Sequence, residues 1–236
     1  IVFAGGTARI EGASFTSMGQ SGIVGHYPLH WHMAGDVTGQ YIRDVAIWHT
    51  FNRCLTIHGT DRAVAQRNVC YDHLGHGYFL EDGAETGNTI EGNLGLSART
   101  PAANVRILAS DANPATFWLT NPDNTVRRNV AAGSVGFGFW YALPAAPTGF
   151  STGQPDRPRN TPRTEFSDNV AHSNRRPGLN VDDGPKPDGT TETTSFNPRA
   201  GAVSNGAPVV ATFRNFSAWK HTSRAVWLRG SSQRLD

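Results

Sequence analysis

Apolar and polar residues alternate along this chain in short bursts, and the bursts recur. Leu29, Trp31 and Met33 alternate with His30 and His32; Leu55 and Ile57 with Thr56 and His58; Tyr78 and Leu80 with Phe79 and Glu81. A period of two is that of a β-strand with one face toward a core. No helical spacing persists long enough to predict a substantial helix. A second pattern, Asn or Asp followed by an apolar residue, recurs at Asp44-Val45, Asn68-Val69, Asn93-Leu94, Asn129-Val130, Asn169-Val170 and Asn215-Phe216. The first three copies lie 24 and 25 residues apart, the later ones 36, 40 and 46. Self-similarity at such a period is the mark of a solenoid. The predicted fold is therefore all-β: a single right-handed parallel β-helix over residues 1–236, with an Asn ladder at one corner of the coil. Asn tolerates the left-handed backbone of a tight corner, and its amide can bond to the next coil. The longer spacings become loop insertions at Arg99 to Ala112, Pro144 to Thr164 and Pro185 to Pro208, all rich in Pro, Gly, Thr, Asn or Ala.

Aligning the coils by their inward positions stacks Trp31, Ile57 and Leu80 in the core and His32, His58 and Glu81 outside. Neighbouring strands are about 4.8 Å apart, so such a column brings three polar groups within reach of one ion or substrate. A one-residue slip in the third coil would put Asp82 in place of Glu81. Three readings of the column are open. His30 or His32, His58 and Glu81 could hold a divalent metal, the ligand types being those of zinc. A carboxylate, Glu81 or Asp82, could work with His58 and His32 as a metal-free acid/base pair that cleaves a glycosidic bond. A hydrogen-bonded histidine ladder could simply stabilise the solenoid. Asp182 and Asp183 sit further along the axis, where they could line the same groove. Arg53 and Arg67 could pair with sugar carboxylates, and Trp140 and Tyr141, beside an insertion, are expected to be exposed platforms for sugar rings. His49, His73 and His172 follow the Asn corner and are expected at equivalent structural places.

Composition narrows the classes. The net charge of +2 gives no bulk argument for nucleic acid or a membrane surface, and no apolar run is long enough to span a bilayer. Seven of the nine histidines fall between His26 and His76, which concentrates the candidate chemistry in the first three coils. Cys54 and Cys70, the only cysteines, read as two small buried thiols. The opening IVFAGGTARIEG reads like the middle of a strand pattern, as expected of a piece of a longer protein.

The motifs GHYPLHWHMAGD, IWHTFNRCLTIHGT, YDHLGHGYFLEDG, NTIEGNLGL, FWLTNPDN and NVAAGS closely resemble the β-helix region of an animal family. That family comprises the cell-migration-inducing and hyaluronan-binding proteins, the cell-surface hyaluronidases and the fibrocystin-like receptors. The likeness runs from about His26 to about Tyr141. It implies an extracellular setting, secreted or cell-surface, and hyaluronan or a related acidic polysaccharide as partner. It also implies a calcium requirement where members act as endo-hydrolases, and neighbouring domains in a longer chain. Fibrocystin-like members have no established enzyme activity, so a non-catalytic glycan- or protein-binding module is the alternative. Cleavage by elimination, as in polysaccharide lyases, is a further variant. Two departures stand out: Gly77 occupies a position where animal members tend to have Cys, and these 236 residues show no recognisable G8 domain ahead of the helix.

Overall fold

A computed structural model describes residues 1–236. Three long parallel sheets, of six, seven and seven strands, run the length of the chain. Each of the first six coils contributes one strand to each sheet, the second giving Tyr41–Arg43, Ala46–Trp48 and Leu55–Asp61; a seventh adds Ser217–Trp219 and Val226–Leu228 to the second and third sheets only. This is the parallel β-helix that the periodicity predicts. No helix is long and apolar enough to cross a membrane. The third sheet carries the histidine-rich strands Leu29–Asp36 and Leu55–Asp61, followed by Tyr78–Leu80, Ala115–Leu119, Phe137–Tyr141, Leu179–Val181 and Val226–Leu228.

The core is built from like residues stacked coil upon coil. The rings of Tyr78, Phe117 and Phe139 lie parallel with centroids 4.7 and 4.6 Å apart. Such a column removes large apolar area from water at every coil. A second apolar cluster, Phe79, Trp118, Phe137 and Trp140, forms on the outer face of the same sheet. Leu108, from the first insertion, packs against it.

The Asn ladder is present but shorter than the repeat suggests. The N–H and Nδ2 of Asn68 both donate to Asn93 Oδ1, Asn93 donates likewise to Asn129, and Asn129 to Asn169. The other Nδ2 hydrogen of each serves a carbonyl of the preceding coil, so these buried amides are satisfied. The left-handed residue is the one before the Asn: Arg67, Gly92, Arg128 and Asp168 have φ of 53, 65, 55 and 55°. Asp44 and Asn215, with φ of 54 and 49°, belong to that left-handed column and not to the ladder. A second Asn pair, Asn88 and Asn124, bridges coils at another corner.

Two further expectations are corrected. Cys54 and Cys70 form a disulfide: one enters the third sheet, the other lies in the second, and both face inward where the coil is narrow. His49, His73 and His172 are not equivalent. Strand pairing runs Trp48–Tyr71–Leu96–Ala132–His172, which puts His49 one position and His73 two positions past the His172 column. The three bonding patterns differ accordingly, with His49 bonded to Asp72, His73 to the Gly75 carbonyl and His172 to Ser173.

Candidate functional site

The outer face of the third sheet holds the predicted column in the predicted register. His32 lies opposite His58, and Ile57 opposite Leu80, so Glu81 follows in line. The chain turns immediately after Leu80, and this brings Asp82 onto His58 as well. His58 Nε2 lies 2.7 Å from Asp82 Oδ2, while its Nδ1 faces Glu81 Oε2 at 3.4 Å. The slip that would exchange Glu81 for Asp82 is therefore unnecessary, since both carboxylates meet one imidazole. Gly59 follows His58 with φ of 51°, in the left-handed region, and its N–H donates to Glu85.

The arrangement leaves specific atoms free. His30 Nδ1 lies 3.1 Å from the Gly25 carbonyl, an acceptor, so it carries the proton and Nε2 presents a lone pair. By the same logic the Asp82 carboxylate fixes the proton of a neutral His58 on Nε2 and leaves Nδ1 open. Tyr27 Oη donates to Glu81 Oε1 at 3.2 Å. The remaining atoms, His30 Nε2, His58 Nδ1 and Glu81 Oε2, are buried and have no hydrogen-bond partner. Ligand atoms of these three residues lie within 4.8 Å of one another. The ring of His32 stands edge-on, 5.0 Å from His30 and 4.9 Å from His58, but outside that three-ligand set. Burial lowers the His30 pKa to about 3, keeping the ring neutral. Burial raises the Glu81 pKa to about 7, with the charges of Asp82 and Glu85 adding to it against His58 and Arg53. Burial also disfavours protonated His58, yet the Asp82 hydrogen bond and the acidic neighbours outweigh it and raise its pKa.

All three predicted insertions come together over this site. Ile107 and Leu108 from the first, Thr148 and Gly149 from the second, and Pro185, Lys186, Pro187 and Gly189 from the third wall a cleft of about 170 Å³ that reaches Glu81 and Asp82. Phe150, mostly exposed, leans over His32 and His58 with centroids 5.8 and 5.9 Å away. Ser151 N–H donates to Asp82 Oδ2, and a Cβ on Gly149 would collide with the Asp82 carboxylate. The third insertion places Lys186, one of the two lysines, on the cleft wall. Tyr27, Phe150 and Lys186 escaped the sequence reading. For Tyr27 the signal was its place inside the histidine motif; for the other two there was none.

The remaining predicted residues fall elsewhere. Arg53 is buried: it pairs with Asp111, Nη1 to Oδ1 at 2.8 Å, and its guanidinium packs on Phe79. It fastens the first insertion to the sheet and cannot reach a sugar carboxylate. Arg67 sits at the corner after the first sheet, paired with Asp44 at 2.7 Å and away from the cleft. Trp140 and Tyr141 are not platforms. Trp140 is covered in the outer apolar cluster with Nε1 donating to the Asp182 carbonyl, and Tyr141 is in the main core. Asp182 lies in the His58 column three coils beyond Glu81, about 14 Å at ~4.8 Å per coil. It is buried and bonded to Trp227 and Arg229. Asp183, half-buried, shares a separate cleft with Asp182. His76 is buried on Trp118, accepting the Ala115 N–H and bonding Ser110, so it is a clasp for the first insertion.

The histidine motifs, the buried Arg53 and the carboxylate turn all lie within residues 1–179, the stretch matched by the model of the CEMIP beta-helix family. The chain belongs to the CEMIP beta-helix family. Fibrocystin-L of Mus musculus is 35% identical to it over 227 residues, which is 96% of this chain. The Cell migration-inducing and hyaluronan-binding protein of Mus musculus is 34% identical over 272 aligned positions, 97% of the chain. Cell surface hyaluronidase CEMIP2 of Homo sapiens is 32% identical over 258, 90% of the chain. The chain spans only 5%, 20% and 18% of those proteins, respectively. Family membership therefore covers the β-helix and the residues on it, one segment of much longer relatives.

Proposed function

We propose that this β-helix cleaves glycosidic bonds of hyaluronan or a related acidic glycan at the His58–Glu81 cleft, in an extracellular protein. We propose further that His30, His58 and Glu81 hold a divalent cation there. The observation that carries the reading is the convergence of three buried ligand atoms that make no hydrogen bond, two of them facing each other at 3.4 Å, each on a side chain already oriented by another bond. Uncompensated buried polar atoms cost about 1–3 kcal/mol each, so their coincidence favours a ligand. The names of relatives, hyaluronan-binding protein and cell surface hyaluronidase, support the substrate class. The Cys54–Cys70 disulfide supports an oxidising, extracellular compartment.

Two imidazoles and a carboxylate are the ligands of a zinc-type catalytic centre with an open position. Calcium, which the family resemblance implies, takes six to eight oxygen ligands, and these residues do not supply them. When bound, such an ion supplies positive charge beside the scissile bond. The chain's own residues do the rest. Gly25 and Asp82 fix the tautomers of His30 and His58, Tyr27 holds one oxygen of Glu81, and the insertions keep bulk water from the acidic pair. A second reading rests on the raised pKa of Glu81. Without an ion it holds its proton close to neutrality and could donate it to a leaving glycosidic oxygen, as in other buried-carboxylate acids.

The test is the size distribution of high-molecular-weight hyaluronan incubated with the purified chain, with zinc, calcium or chelator added, alongside calorimetric titration of zinc. The expected outcome is shortening that chelator stops, one zinc bound, and loss of both in His58→Ala and Glu81→Ala. Zinc binding that both variants retain would refute the ligand set. Cleavage that chelator spares but Glu81→Ala abolishes would select the proton-donor reading. Glycan binding without shortening would make the chain a binding module, and ultraviolet absorbance of an unsaturated product would identify elimination.

A further inference from the structure

A second cleft, of about 260 Å³, opens on the same sheet three coils further along the axis. Its wall is polar and incompletely satisfied. Asn180, buried at 3% exposure, has an Nδ2 with no hydrogen-bond partner. Arg224 makes no ion pair and lies over Trp227 at 4.9 Å. Arg176 spends only Nε, on Asn113, which leaves its terminal nitrogens free. Asp182 is consumed internally: it accepts Trp227 Nε1 at 2.8 Å and Arg229 Nε at 2.6 Å, and so holds both in the wall. Its neighbour Asp183, in the left-handed region at φ of 51°, has a carboxylate that accepts no hydrogen bond.

These groups specify a ligand class. Two free guanidiniums and an unpartnered amide call for an anion. A simple phosphate or sulfate would meet Asp183 in the same wall and be repelled by it. A molecule with one carboxylate and several hydroxyls satisfies both sides, the carboxylate on Arg176 and Arg224 and a hydroxyl donating to Asp183. We propose that this cleft is a subsite for a carboxylated sugar unit, a uronic-acid residue of the polymer engaged at the His58–Glu81 cleft. The inference thus rests on the acidic-glycan reading. The two clefts lie on one face, about 14 Å apart at ~4.8 Å per coil, so a single extended chain can occupy both.

The experiment is calorimetric titration of a hyaluronan tetrasaccharide, with maltotetraose as the neutral control, into the chain, into Arg176→Ala/Arg224→Ala and into His58→Ala. Both arginines are exposed, so the double variant should keep the wild-type melting temperature. The expected result is tetrasaccharide binding that falls at least about tenfold in the arginine variant, as losing charge-assisted bonds implies, that persists in His58→Ala, and no comparable binding of maltotetraose. Unchanged affinity in the arginine variant, equal binding of the neutral sugar, or no tetrasaccharide binding overturns the subsite. Polymer cleavage followed on the same variants separates the two proposals. Cleavage with unaltered tetrasaccharide binding removes only the subsite, and arginine-dependent binding without cleavage removes only the enzyme.

Discussion

Removing either member of the Arg53–Asp111 pair should loosen the first insertion and, with it, a wall of the His58–Glu81 cleft. Both side chains are essentially without solvent contact, at 1% and 0% exposure, and two contacts join them, Nη1–Oδ1 at 2.8 Å and Nη2–Oδ2 at 3.2 Å. Breaking a buried pair leaves an uncompensated charge, which costs about 3–5 kcal/mol. For a chain of this size that lowers the melting temperature by roughly 10 °C. The two deletions should differ. Asp111 Oδ2 also accepts the N–H groups of Ile107 and Leu108, each at 3.0 Å. Arg53→Met leaves a carboxylate still held by two donors, whereas Asp111→Ala strands a guanidinium and frees the loop backbone as well. Asp111→Ala is thus the worse of the two. The double variant Arg53→Met/Asp111→Leu should recover much of the loss, because apolar replacement removes both desolvation penalties. Thermal unfolding of the four proteins tests this, and protease cleavage within residues 99–112 reports on the loop. Single variants within about 1 kcal/mol of wild type, or a double variant no better than Asp111→Ala, would refute the reasoning.

Two other outcomes are expected. Replacing Cys54 and Cys70 together by Ala should cost about 3 kcal/mol, the chain-entropy value for a short closed loop, here with a sequence separation of 16; unfolding with and without reductant measures it, and no change would deny the bond a stabilising role. Acid should destabilise the fold through His73, whose burial lowers its pKa to about 3. Between that value and about 6.5 the unfolded chain binds a proton that the folded chain does not. Stability is therefore complete above the unfolded pKa and falls as pH drops below it, by up to about 1.4 kcal/mol per pH unit. A melting temperature level from pH 7 to pH 5, or a slope unaltered in His73→Gln, would contradict this.

The fold was legible because its determinants are local. Alternation of period two, the recurring Asn-apolar pair and the Gly- and Pro-rich interruptions mark strands, corners and insertions without knowledge of distant contacts. The same alternation placed His30, His32, His58 and Glu81 outside the core on adjacent coils, since parallel pairing in register leaves little choice once the inward residues are matched. Even there the ladder was over-read by one residue at each end. The sequence pattern does not distinguish an Asn that bonds along the stack from an Asp or Asn in the left-handed position before it.

What the pattern did not contain was which outward-facing groups remain outward. Trp140 alternates like a surface residue, yet it is buried among Phe79, Trp118 and Phe137; Arg53 carries a charge, yet Asp111, 58 residues later, is buried beside it. The disulfide between Cys54 and Cys70 likewise depends on two faces of one coil meeting across a narrow interior. Local pattern was enough for the coil, its register and the polar column. The folded loops were needed to show that three insertions close over Glu81 and Asp82, that three ligand atoms make no hydrogen bond, and that Arg176 and Arg224 line the second cleft without an ion pair. Periodicity is a property of neighbours in sequence. Burial, pairing and an unmet hydrogen bond depend on where long loops fold back, which no local pattern encodes.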